Sequence, residues 1–189
     1  QRHEMQSFCF VATKEVKEEA AILIKSLREF HSQPVHVYCD KETKYFLNCL
    51  DLDLRDVFFK IEMEKETLQK INQSITFERK NNYHRPECIL RKMDCMDFAL
   101  QNHDNTLFLD SDIIVVGSLN EEFDKGVFLS PHYHKLGTPS SNKAVEYGFF
   151  NAGYVFCADA NFPDFWRETF LNDSDFFEQE CMNRICEKF

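Results

Sequence analysis

A single α/β domain, with a mostly parallel central sheet flanked by helices, is the fold class that the sequence predicts. Three observations carry it. Short apolar runs alternate with amphipathic helical patterns from the first residues onward, the order a parallel sheet requires because each strand returns through a helix. The 189 residues are 43% hydrophobic and 14% aromatic, enough apolar material for one sizeable core. Neither an internal repeat nor a linker-like stretch interrupts the pattern, so residues 1–189 read as one domain.

The elements follow in order. Ser7 to Thr13 (SFCFVAT) is a short apolar run, a buried strand. In the next stretch Val16, Ala20, Leu23, Leu27 and Phe30 recur every three to four residues among Lys and Glu, which predicts an amphipathic helix. Gln33-Pro34 breaks it, and Val35 to Cys39 reads as the second strand. Lys41 to Leu50 is a helix and Val57 to Met63 a third strand. Pro86 opens another helix, at a first position where no amide donor is needed; its stripe of Ile89, Met93, Met96 and Leu100 faces the core. Thr106 to Leu109, Ile113 to Val116, Val127 to Leu129 and Phe149 to Cys157 are further apolar strand runs. Helices over Asn161–Leu171 and Asp175–Lys188 close the chain.

Charge and cysteine content narrow the function. Asp plus Glu is 32 against 22 Lys plus Arg, a formal net charge of −10, so a wrapped nucleic-acid binder is excluded. A protein this acidic needs a local reason to hold an anion. No apolar run of transmembrane length occurs. The 8 Cys form no C-x-x-C pair, which argues against zinc. Cys9, Cys39 and Cys157 lie in apolar runs, as free buried thiols do, and the expectation is a reducing, cytoplasmic compartment. Gln1 is not an initiator Met, and Phe189 ends a pattern that still reads as helix. The chain is therefore expected to be a fragment of a longer protein with further domains C-terminal to it.

The usual phosphate cradles are missing. With glycines only at 117, 126, 137, 148 and 153, neither G-x-G-x-x-G nor G-x-x-x-x-G-K-[ST] is possible, and a G-x-S-x-G elbow is absent too. What remains is Asp110-Ser111-Asp112 between two apolar runs. Hard cations such as Mg²⁺ and Mn²⁺ take oxygen ligands, commonly one or two carboxylates completed by substrate phosphates. A bound cation would offset the repulsion between an acidic protein and a diphosphate. With 14 Asp in the chain, about one D-x-D is expected by chance, and three occur. Asp51/Asp53 and Asp173/Asp175 suit helix capping or solvated loops. Only Asp110/Asp112 sits in an apolar β context, where charge is costly without something to bind it.

The ordered series FCFVATKEVKEEAAILIKSLREF, ILRKMDCMDFALQNHDNTLFLDSDIIVVGSL, GFFNAGYVFC and DFFEQECMNRI resembles the glycogenin-like (family 8-type) glycosyltransferases, enzymes of the GT-A fold that use nucleotide-sugars. The match runs from Phe8 to Ile185. The resemblance implies a glycosyltransferase catalytic domain that moves a hexose from a nucleotide-diphosphate sugar, a UDP-sugar, to a glycan or glycoprotein acceptor. It implies Mn²⁺ or Mg²⁺ on Asp110 and Asp112, with Asp112 the more direct ligand. Lys92 would contact the donor sugar or phosphate, and Arg85 would reach phosphate from the helix start. Ser111 would sit near the donor ribose or sugar. Ala12 and Thr13 would line the nucleoside pocket, Asn151, Ala152 and Gly153 the sugar pocket, and Glu178 and Gln179 would approach the anomeric carbon.

Each residue also has a plainer reading. Lys92 falls off the apolar stripe and would be solvated. Asn151 is either an amide reader of hydroxyls or a turn residue. Glu178 sits in a first helical turn, where acids favour the macrodipole. Gly153 inside a strand pattern implies close backbone approach or a bulge. The loop from Pro131 to Tyr147, with His132, Tyr133 and His134, is either an acceptor-binding segment or an exposed loop. Two departures from the family pattern stand out. No Tyr follows the first strand in Lys14 to Lys17, and the H-x-x-G at His134–Gly137 precedes the F-N-A-G strand, so a third metal ligand is not assigned. The alternatives are a sugar-1-phosphate nucleotidyltransferase, which needs a Gly-rich loop that Ala12-Thr13-Lys14-Glu15 lacks, and a non-catalytic metal- or carbohydrate-binding domain.

Overall fold

The computed structural model describes residues 2–61, 86–124, 126–132, 135–139, 141–142, 150–173 and 182–189. Strand β1 (Phe8–Ala12) leads through a short 3-10 turn (Lys14–Val16) into helix α1 (Lys17–Phe30), then β2 (Val35–Cys39), α2 (Lys41–Cys49) and β3 (Val57–Ile61). Helix α3 (Pro86–Leu100), β4 (Thr106–Leu109), β5 (Val127–Pro131), β6 (Phe150–Cys157), α4 (Phe162–Asp173) and α5 (Met182–Lys188) follow.

These strands form one sheet in the order β3-β2-β1-β4-β6-β5. β3, β2, β1 and β4 pair in parallel, while β6 runs antiparallel to both β4 and β5. β6 is thus the one reversed strand among those described, and the largely parallel expectation holds.

Period-two alternation divides the strands between two cores. Phe8, Phe10, Ala12, Val35, Val37, Leu107, Leu109 and Phe156 face one side, with Ala20, Leu23, Ile24 and Leu27 of α1 packed on them. Cys9, Tyr38, Phe108, Val155 and Cys157 face the other, under Leu90, Met93, Met96 and Ala99 of α3 and Phe162, Trp166 and Phe170 of α4. Arg167 on α4 ties the two helices together, 2.9 Å from Asp94 and 2.8 Å from Asp97 on α3. Burial nonetheless pushes the Asp97 carboxyl up, against the pull of Arg167. Cys9, Cys39, Cys95 and Cys157 are free and buried. Among the described residues no helix is long and apolar enough to cross a membrane.

Two expectations change. Phe30 does not join the buried stripe of α1; it is 44% exposed in the last turn, and Ile24 takes its place in the core. Ile113 to Val116 is not a strand. Both sides of β4 are already occupied by β1 and β6, so this run cannot pair beside the strand it follows. It crosses to α1 instead, where the Val115 amide donates to Ser26 Oγ at 3.0 Å. Val115 is buried there, while Ile114 and Val116 point outward.

His36 of β2 is enclosed by Phe58, Phe98 and His103, whose ring centroids lie 5.3, 5.0 and 5.0 Å away. Burial, with His103 adding to it, pushes its pKa down to about 4. The unfolded chain binds this proton near pH 6.5, so stability is complete above that value and falls as the pH drops toward 4. Between pH 7 and pH 5 the loss from this group is expected to be about 2 kcal/mol. Urea midpoints at the two pH values measure it, and His36→Phe is expected to flatten the dependence.

Candidate functional site

In an open α/β sheet the ligand crevice lies outside the carboxyl ends of the strands, where the strand order reverses. Here that point is between β1 and β4: the chain leaves β1 toward β2 and β3 on one side, and β4 pairs on the other. Ala12 ends β1 and Thr13 follows it; Asp110 follows β4. The strand is TLFL because all four positions are buried, and the chain turns as soon as polar residues begin. The turn closes with the Ile113 amide donating to the Asp110 carbonyl at 3.1 Å.

Lys92 and Gly153 flank the Asp110 side chain. Lys92 of α3 places Nζ 3.1 Å from Oδ1. The same ammonium donates to the Ala152 carbonyl at 3.4 Å and lies 5.6 Å from the centre of the Phe108 ring. On the other side stands Gly153, where an added Cβ would lie 2.4 Å from Asp110 Oδ2. The close approach read from the sequence is therefore an approach to this carboxylate, and only glycine leaves room for it. The Asp110 amide donates to the Gly153 carbonyl at 2.9 Å.

Asn151 makes a local bond of the kind the turn reading expects: its Oδ1 accepts the Gly153 amide at 2.7 Å. That contact lies in an irregularity of β6: Leu129 pairs with Val155 but Ser130 with Asn151, so Ala152 to Tyr154 bulge away from β5. The bulge brings the Ala152 carbonyl to Lys92.

Lys92 is therefore not a solvated lysine: its side chain is 14% exposed, against 40% for Asp110. Ser111 is half-buried and Asp112 exposed. The structure thus gathers Lys92, Asp110, Asn151, Ala152 and Gly153, with Ser111 and Asp112 on the turn and Ala12 and Thr13 at the end of the adjacent strand. Arg85, Glu178 and Gln179 lie outside the described residues, as do Tyr133, His134 and residues 143–149.

Asp40 was not singled out from the sequence. Its Oδ1 accepts the Thr43 amide at 2.7 Å and its Oδ2 the Lys14 amide at 2.8 Å. It caps α2 and ties the loop after β1 to it. Burial opposes its ionisation, but the amides outweigh that and hold its carboxyl below the ordinary range. The signal was present: an Asp just ahead of the helix that starts at Lys41 is a capping pattern. Its second bond, to a loop 26 residues away, is visible only in three dimensions.

The Asp51/Asp53 pair is placed differently. Asp53 pairs with Arg55 at 2.7 Å, ahead of β3 and at the opposite end of the sheet. Asp173 is the last residue of α4, and Asp175 lies outside the described residues. Two grooves, of about 380 and 490 Å³, open at that opposite end around Arg28, His31 and Asp53 or around Ser118 to Glu122. They carry none of the gathered residues. Arg28 there is spent on the carbonyls of Gln33 and Arg55, at 2.8 and 2.7 Å, which marks structural bonding.

The two carboxylates suit a hard divalent cation by their oxygen chemistry, and the Gly153 cradle holds one of them in place. Among the described residues no third His, Cys, Asp or Glu joins them. A cation here would complete its shell from water and from the phosphates of a ligand.

The fold is one seen in solved glycosyltransferases. Glycosyltransferase GlyE from Streptococcus pneumoniae TIGR4 superposes with a TM-score of 0.59 at 14% identity, over 98% of this chain and 44% of that one. Its apo form gives 0.55 at 13% identity, over 96% of this chain and 43% of that one. The apo form of mouse xyloside xylosyltransferase 1 gives 0.54 at 12%, over 96% of this chain and 75% of that one. The chain thus spans less than half the length of the GlyE structures. No protein-family model matches it, and no curated protein sequence does.

Proposed function

We infer that this chain is a glycosyltransferase catalytic domain that moves a hexose from a nucleotide-diphosphate sugar, of the UDP-sugar class, to a glycan or glycoprotein acceptor with the help of Mn²⁺ or Mg²⁺. One observation carries the reading: a sheltered ammonium, Lys92, is held on Asp110 at the switch point of the sheet, beside the exposed Asp112. A bound cation supplies Lewis-acid stabilisation of the departing diphosphate. The chain's own residues do the rest. Asp110, fixed by Gly153, aims Lys92 toward the crevice, where the ammonium meets the charge that develops on the leaving phosphate. Asp112 offers its oxygens to the cation. Thr13, held in place through the Lys14–Asp40 bond, borders the nucleoside side. The β6 bulge of Asn151 to Gly153 borders the sugar side and orients the donor for attack by an acceptor hydroxyl. Glu178 and Gln179 are assigned to the neighbourhood of the anomeric carbon by resemblance.

Thermal unfolding with UDP, GDP, UDP-glucose and free sugars, with and without Mn²⁺, tests this. A ligand at a hundred times its dissociation constant stabilises by about 2.7 kcal/mol, a midpoint rise of roughly 5 to 10 °C for a chain of this size. The rise is expected for UDP-glucose with Mn²⁺ and is expected to vanish in Asp112→Asn. Stabilisation by free sugar alone would instead identify a carbohydrate-binding domain.

A further inference from the structure

Lys92 occupies the place where a cation would meet Asp110. Its ammonium is 3.1 Å from Oδ1, and Oδ2 is walled by Gly153. A divalent ion that uses this carboxylate must share it with, or take it from, a resident positive charge. Both are cations and they repel at such range. The lysine stem has four rotatable carbons, so the ammonium, which lies 5.6 Å from the centre of the Phe108 ring, can swing by a few ångströms without any movement of the backbone of α3.

We propose that Lys92 and a divalent cation compete for the Asp110 carboxylate, so that the site takes up the cation well only when a diphosphate is present to receive the Lys92 ammonium. The inference rests on the donor class given above and adds a coupling to it. Because coupling between sites is reciprocal, the cation frees Lys92 for the diphosphate as much as the diphosphate frees Asp110 for the cation. The lysine thereby guards an acidic site against idle metal loading and makes metal and donor arrive as a pair.

Mn²⁺ titrations read by the EPR signal of the free ion test this without turnover. Lys92→Gln is expected to bind Mn²⁺ alone about tenfold more tightly than the unaltered chain, and Lys92→Arg about equally. Lys92→Met, which keeps the apolar stem, is a second charge-free variant and is expected to match Lys92→Gln. In a second arm, with Mn²⁺ saturating, UDP is expected to bind Lys92→Gln about tenfold more weakly. Unchanged or weaker Mn²⁺ binding in folded Lys92→Gln and Lys92→Met overturns the competition. Tighter Mn²⁺ binding in these variants, with no UDP binding to any form, upholds the competition and overturns the donor class. Absence of Mn²⁺ binding from every form overturns both.

Discussion

Gly153→Ala is expected to cut donor turnover by about a hundredfold or more while leaving the chain folded. An alanine Cβ would lie 2.4 Å from Asp110 Oδ2, 2.9 Å from its Cγ and 3.1 Å from Asn151 Oδ1. No van der Waals contact is that short, so something moves. Either Asp110 rotates away and its 3.1 Å bond to Lys92 is lost, or β6 withdraws from β4 and the Asp110–Gly153 backbone bond at 2.9 Å is strained. Both displace the ammonium from the crevice. The backbone cost resembles that of overpacking, about 1 to 3 kcal/mol, or several degrees in the midpoint. Turnover and thermal unfolding measured on the same preparation separate the two effects. Undiminished turnover would show that the Asp110 position does not matter to the reaction.

Trp166→Ala is expected to have the largest effect on stability. Trp166 is fully buried, its ring stacked on Phe162 at 5.5 Å within the core between α3, α4 and the sheet. Removing a buried side chain of this size costs about 3 to 5 kcal/mol, because the surrounding core refills the space only in part. A domain holds about 5 to 15 kcal/mol in total, so much of the margin goes. The midpoint is expected to fall by about 10 °C in a circular dichroism melt, and Trp166→Phe by much less. A midpoint shift below about 3 °C would mean that α4 is not needed to hold α3, the helix that carries Lys92, against the sheet.

Much of this was legible along the chain. Local apolar periodicity gave the strands and helices of the first half and the strand before Asp110, because burial on a sheet or helix face leaves its period in the sequence. The missing glycine motifs and the apolar flanks of Asp110-Ser111-Asp112 pointed to a carboxylate site. The glycine at 153 read correctly as a close approach, although what it approached did not. The run Ile113–Val116 misled, since an apolar segment becomes a strand only where a sheet edge within its reach is free, and β1 and β6 had taken both sides of the adjacent β4. Lys92 carried two readings, a donor contact by resemblance and a solvated lysine by its spacing. Off the apolar stripe, it looked solvated, but β4 and β6 bring an aspartate and a carbonyl to its tip.

By itself, then, the sequence determined the α/β class, most element bounds and the pair of aspartates, all features written in residues close together in the chain. The tertiary structure alone decided the rest. It set the reversal of strand order between β1 and β4, the reversed direction of β6, the second task of Asp40 and the union of Lys92, Asp110 and Gly153. These join positions 18 to 99 residues apart, and no local pattern encodes which distant partner a charge or a glycine will meet. That choice is made by the packing of both sheet faces at once, after the periodicities have been satisfied.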